Sequence, residues 1–242
     1  MWEAILSTQK TSAPGYWLIT QPDHAGLSGA IAAALGPPLL PKLSSDVVQG
    51  ITLHDDGWAP FDAQIRVADG KPLSFLDFGP CDFLRAWRGS IERAERVAPI
   101  AGAMVSGHFW RLAKNRLEWG IDGADDRTRL LDFIAAERER QEQLLGEHSR
   151  QEFEFLTGVL QFCDVLSLYL CCGAAQEVEF PQRFGPESIR LRREAARSLD
   201  QAAVCRFEPS PFRAGGVDLA VIARRYPTDR EPSTMKLPFL LW

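Results

Sequence analysis

Residues 51–58 read Ile-Thr-Leu-His-Asp-Asp-Gly-Trp, an apolar run that closes on a histidine and two acids, His54, Asp55 and Asp56. Asp-Gly commonly turns a corner, so the run has an ordinary explanation as a helix end followed by a turn. The alternative is that His54 and Asp55 are half of a metal site completed from elsewhere in the chain. The sequence on either side has to separate the two.

The run belongs to a helix over residues 45–54, with Ser44 or Ser45 as its N-cap and Val47, Val48, Ile51 and Leu53 facing a core. Upstream, Gln21-Pro22-Asp23-His24 opens a second helix, with proline and aspartate suited to a first turn and Gly36-Pro37-Pro38 to a stop. Downstream, Pro60, Gly70, Pro72, Gly79 and Pro80 read as a long loop over residues 59–80. Helices are expected at about 81–97, 98–117, 125–146 and 149–172, the third with one charged and one apolar face, the last the most apolar of the chain. Short strands are expected at 2–8 and 16–20, joined by a turn around Ser12-Ala13-Pro14-Gly15.

After Gly173 the chain alternates in character or carries β-branched residues, which predicts a small antiparallel sheet within 177–226, with the N-terminal strands as candidates to extend it. Gly215-Gly216 reads as a hairpin turn, and the Pro-punctuated tail 227–242 as a segment docked on the body or on a partner. The expected fold is therefore mainly α. A helical domain with N-terminal strands spans residues 1–176, and a small antiparallel β appendage with the tail, residues 177–242, packs on the same body.

At 242 residues the chain can bury a sizeable core, and its 45% hydrophobic and 24% charged content is ordinary for a globular protein. A net charge of −5 argues against a nucleic-acid partner. No uninterrupted apolar stretch approaches the roughly 18 residues of a membrane span. The start Met-Trp-Glu-Ala-Ile-Leu-Ser has neither a basic region nor an apolar one, so a signal peptide is not expected. The five cysteines, at 81, 163, 171, 172 and 205, form no C-x-x-C pair and read as buried reduced thiols, which favours the cytoplasm.

The chain has four histidines, and His24, His54 and His108 all sit in or beside apolar helical segments, whereas His148 looks solvated. A lone histidine of this kind is more often a satisfied core residue than a ligand. Asp164 weakens that explanation. On a helix its neighbours one turn away are Leu160, Gln161 and Leu168, and an ionised carboxylate there needs a cation, a donor network or a metal. A salt bridge to an arginine or a pairing with Gln161 would also serve.

The set His24, His54-Asp55, Asp164, each from a separate predicted helix, resembles the H…HD…D signature of the HD superfamily of metal-dependent phosphohydrolases. More narrowly, "QPDHAGLSG", "HDDGW", "VSGHFW" and "CDVLSLYLC", followed by Glu208-Pro209-Ser210-Pro211-Phe212, resemble a bacterial domain-of-unknown-function family (DUF3891) over almost the whole chain. That family carries no activity to transfer. The HD resemblance, over about residues 20–175, implies an all-α bundle and a site for one or two divalent ions.

Two imidazoles and two carboxylates suit Mn, Fe, Zn, Co or Mg. Such an ion would polarise a phosphoryl oxygen and acidify a bound water, so the implied function is hydrolysis of a small phosphoester or nucleotide. The resemblance further implies Asp55 as a residue able to bridge two ions and His108 as a ligand of the second. Asp56 or Asp23 would serve as general base or as a partner orienting a histidine.

One departure stands out: where many HD hydrolases continue with Gly-Lys, this chain has Gly57-Trp58. The phosphate-binding charge would have to come from Arg111, with Lys114, Arg85 and Arg88 as further options. Trp58, Trp87 and Trp110 are candidates to stack a flat substrate. The missing lysine keeps open a di-iron oxidase or oxygenase on the same ligands, and a non-catalytic interaction module is the third possibility. The expected partner is a small-molecule substrate, with neither nucleic acid nor membrane involved.

Overall fold

A computed structural model describes residues 8–10, 15–172, 176–194, 202–213, 215–226 and 234–242. The expected strand residues 2–7, the turn residues 12–14 and the tail residues 227–233 lie outside the described residues.

After two short strands, β1 (Thr8–Lys10) and β2 (Tyr16–Leu18), the chain enters α1 (Gln21–Ala34) and α2 (Ser45–Leu53). Thr20 caps α1 by accepting from the Asp23 N–H, and Ser44 caps α2 by accepting from the Val47 N–H. A 3-10 turn over Asp56–Trp58 leads into α3 (Ala59–Asp62). The expected long loop thus holds α3, a two-stranded ribbon β3 (Val67–Ala68) and β4 (Lys71–Pro72), and a capped 3-10 turn at Phe75–Asp77. Four long helices follow, α4 (Pro80–Glu95), α5 (Pro99–Trp119), α6 (Ala124–Leu145) and α7 (Arg150–Cys172). Their bounds agree with the expected ones to within about two residues.

The last part of the chain supplies β5 (Glu177–Glu179), β6 (Arg190–Arg193), β7 (Ala203–Glu208), β8 (Val217–Tyr226) and β9 (Thr234–Leu241). These strands and the N-terminal pair form one seven-stranded sheet in the order β1-β2-β8-β9-β7-β6-β5. The sheet is mixed, because β9 runs antiparallel to β8 and parallel to β7. The expectation of a mainly α, HD-like bundle with a small antiparallel sheet is therefore overturned: the molecule combines a helical layer with a large mixed sheet.

The N-terminal strands join the sheet as the sequence allowed, pairing with the far end of β8. The error lies in the tail. The segment read as a docked tail supplies the central strand. Pro238 disguised it, since proline is rare inside sheets. It faces Ala220 of β8 one residue before Phe239, where the pairing with β7 begins, so the N–H it lacks is not missed on that side.

A single apolar core runs through both layers, from Trp17 and Ile51 through Phe109 and Leu160 to Leu237 and Phe239. Helix α7 is long and apolar enough to cross a membrane by length and composition, but 67% of its apolar window is buried against the rest of the protein. Cys81 is exposed and Cys172 half-buried, against the expectation that all five thiols are buried; Cys163, Cys171 and Cys205 are buried, and all five are free.

Candidate metal centre

Two helices and one helix end bring the ligands together. His24 lies in the first turns of α1, and Asp164 lies in α7, which packs beside it. His54 is the C-cap of α2 and Asp55 follows it, its backbone leaving the helix at φ −116° and ψ 14° ahead of the 3-10 turn. The helix therefore ends where two successive side chains can face the same point.

All four side chains are buried, and one ligand atom from each lies within 4.8 Å of the others. His24 Nε2 is 3.0 Å from Asp164 Oδ1 and 3.6 Å from Asp55 Oδ2. His54 Nε2 is 3.4 Å and 3.6 Å from the same two oxygens. Ligands arranged tetrahedrally at about 2 Å from a shared ion lie roughly 3.3 Å apart, which is this spacing. Neither Nε2 atom has a hydrogen-bond partner in good geometry, although both lie close to the Asp164 carboxylate. An unsatisfied buried nitrogen is costly, and two of them facing two carboxylates suit ligands around a cation better than a directly bonded ion pair.

The other ring nitrogens are held. His54 Nδ1 lies 2.7 Å from the Ile51 carbonyl oxygen, which only accepts, so Nδ1 carries the proton and Nε2 presents its lone pair when the ring is neutral. His24 Nδ1 sits against the Ser167 hydroxyl, which also donates to the Asp164 carbonyl (3.0 Å), while Ser28 donates to the Ser167 oxygen (2.8 Å). The Trp58 indole hydrogen-bonds the Asp55 carboxylate. Such contacts orient metal ligands from behind.

The electrostatics are those of a crowded, dry site. Burial alone would depress the His54 pKa, but the charges of Asp55 and Asp164 outweigh it and hold it at about 9. Burial pushes the Asp55 carboxyl upward. Burial also works to raise Asp164, yet the His24 and His54 imidazoles and nearby His108 hold it well below the usual carboxylate range. His108 is pulled down to about 3, chiefly by burial, so its ring is neutral. Its Nε2 lies 3.8 Å from Asp164 Oδ2, the oxygen turned away from His24 and His54, while its Nδ1 is buried without a partner. His108 thus stands beside the quartet without belonging to it, and Asp164 has one oxygen toward each side.

The remaining expected residues part ways. Asp56 is engaged by Arg93 Nε at 2.9 Å and is not in the quartet. Asp23 accepts from the Thr20 hydroxyl at 2.6 Å, in the cap of α1. Arg111 is spent on Gln161 and Glu154, and its guanidinium is not among the groups lining the cavity over the quartet. Lys114 lies over the Trp110 ring at 4.6 Å, Arg85 over Phe61 at 4.7 Å and Arg88 over Phe133 at 5.4 Å. Trp58 and Trp87 do line the cavity, which has a volume of about 200 Å³ and reaches Asp55, Asp164 and His108.

Several residues were not anticipated. Ser28 and Ser167 lie one helical turn after His24 and Asp164, and a small hydroxyl at that spacing on an apolar helix face was the signal available. Asp62 accepts from the Gln21 N–H at 2.7 Å, and burial raises its pKa to about 6. Arg116 lines the cavity but is held by Asp122 through Nε at 2.9 Å and a terminal nitrogen at 2.7 Å. Nothing in the local sequence marked either.

These observations define a helix-and-sheet protein with a buried His/Asp cluster able to hold a metal ion, open to a cavity. Residues 7–227 match the family described as "Protein of unknown function (DUF3891)", and the chain belongs to that family. No match was found among proteins of curated function or among solved structures.

Proposed function

We propose that the protein is a metal-dependent hydrolase of a small phosphoester. His24, His54, Asp55 and Asp164 would hold one divalent ion, and His108 with the outer oxygen of Asp164 a second. The observation that carries this reading is the pair of buried imidazole nitrogens, unsatisfied and facing two buried carboxylates. The bound ion would supply Lewis acidity and an acidified water near neutral pH. The chain's own residues would fix the ligand directions, through Ile51, Ser167 and Trp58, and exclude bulk water from the floor of the cavity. Asp56 and Asp23 have other partners, and Asp164 is better placed than Asp55 to bridge. The five free thiols fit a reducing, cytoplasmic setting.

Protein purified without chelator should carry about one equivalent or more of a transition metal and hydrolyse simple phosphomonoesters when supplied with Mn or Co. Asp164→Asn should abolish both. A protein that binds no Mn, Fe, Co or Zn by calorimetry would remove the reading.

One observation favours a second reading, a di-iron oxidase or oxygenase. The cavity walls are mostly aromatic, and the cation that lines them, Arg116, is already paired. Iron retained through purification and an oxygen-dependent change in the optical spectrum would separate this reading from hydrolysis.

A further inference from the structure

The cavity over the quartet differs in character between floor and walls. Its floor carries Asp55, Asp164 and His108, each at most 8% exposed. Its walls carry Trp58, Phe78, Phe83, Trp87, Phe109 and, at the rim, Trp119, which is 62% exposed. Leu112 and Leu168 also line it, with the uncharged polar residues Gln21 and Asn115. Trp87 stacks on Phe109 with centroids 5.0 Å apart and lies 4.6 Å from Phe83, so these rings hold one another in place as a preformed wall.

Polar groups are few. The Arg116 guanidinium is held bidentately by Asp122 and lies 5.1 Å from the Phe83 ring centre, so its charge is satisfied before any ligand arrives. A second anionic group on a ligand would find no unpaired cation among the lining side chains. Size points the same way. An apolar cavity of about 150 Å³ takes one benzene ring, and this one has about 200 Å³.

We propose that the cavity selects substrates with one flat apolar ring directly attached to the group that meets the metal, an aryl monoester being the simplest case, and rejects those with a second charge beyond the ring. The choice of head group rests on the function proposed above; the choice of body rests on the cavity alone.

The test uses the whole chain and three non-hydrolysable ligands: phenylphosphonate, methylphosphonate and 4-carboxyphenylphosphonate. Binding is followed by calorimetry with and without Mn. Phenylphosphonate should bind at least about tenfold more tightly than methylphosphonate, from the apolar ring area removed from water, and more tightly than 4-carboxyphenylphosphonate, whose second charge lies beyond the ring. Leu112→Trp, which fills the cavity, should erase the phenyl preference while leaving Mn affinity unchanged. Equal binding of phenyl and methyl ligands, or binding of the carboxylated ligand as tight as that of phenylphosphonate, overturns the proposal, and neither result needs the variant to fold. Phenylphosphonate binding in a protein that takes up no Mn would support the aryl cavity while removing the metal-dependent reading. No binding of any ligand to the Mn-loaded protein overturns the proposal.

Discussion

Ser167 touches no solvent and no substrate surface, yet it joins the imidazole of His24 to the backbone of Asp164. Loss of its hydroxyl should loosen both ligands at once. Ser167→Ala is expected to weaken metal affinity by about 10- to 100-fold with little change in melting temperature, as read by competition with a chelating dye. Asp62 offers a pH test at a residue that is no ligand. Its pKa rises from 3.8 unfolded to about 6 folded, mainly by burial. The folded state therefore holds the proton more tightly, so the stability from this group is full below about pH 3.8 and is lost as pH rises through about 6. Asp62→Asn keeps the acceptor for the Gln21 N–H and removes the titration. In chelator-treated protein it should match the wild type near pH 4 and exceed it above pH 6, by on the order of 1–2 kcal/mol after allowance for partial exposure. Urea titrations across that range would read the difference. The quartet itself was legible because each member broke a rule its surroundings obeyed: a charge in an apolar helix, or a histidine closing a core segment. Asp62 and Arg116 broke no local rule, and only the folded chain brings them to the cavities.

Gly57 shows how one element constrains another. The sequence suggested a glycine that eases a turn, but the need is proximity. A Cβ at this position would lie 1.9 Å from the Ala86 carbonyl oxygen and 2.7 Å from the Ser90 nitrogen, both backbone atoms of α4. The Gly57 N–H also donates to the Ser90 hydroxyl at 2.9 Å. The 3-10 turn is thus pressed against α4, which fixes where Asp55 and Trp58 point. Gly57→Ala should cost about 3 kcal/mol or more, and the surviving folded protein should bind metal more weakly, because Asp55 is displaced. Thermal denaturation and metal titration on the same preparation check both parts. The helices were readable from spacing and caps, since Ser44, Pro22 and the Gly36-Pro37-Pro38 stop act within one turn of the chain. The 3-10 turns and α3 were not, being short elements whose conformation is set by what they pack against.

Across the whole molecule strands from both parts of the chain build one sheet, and the contribution of residues 234–241 was the part least visible in the sequence. Strand pairing is a long-range property: the alternation at 16–20 marked a strand able to extend the sheet, but nothing local to residues 234–241 announces their neighbours. Strand β9 has partners on both sides, β8 along its whole length and β7 toward its end. A chain ending at residue 233 should therefore lose the native fold, not merely an appendage. Its near-ultraviolet circular dichroism should be flat and its thermal transition broad or absent; a sharp transition close to that of the full chain would contradict this placement. The same strand sets a timetable. Its residues are synthesised after those of β7 and β8, so these two leave the ribosome with no strand between them, each presenting unpaired backbone groups. The helices carrying His24, His54 and Asp164 can assemble earlier, while the sheet waits for β9. Newborn chains would thus pass through a stage with the ion-binding half formed and two open strand edges, when chaperones or a second nascent chain could engage them.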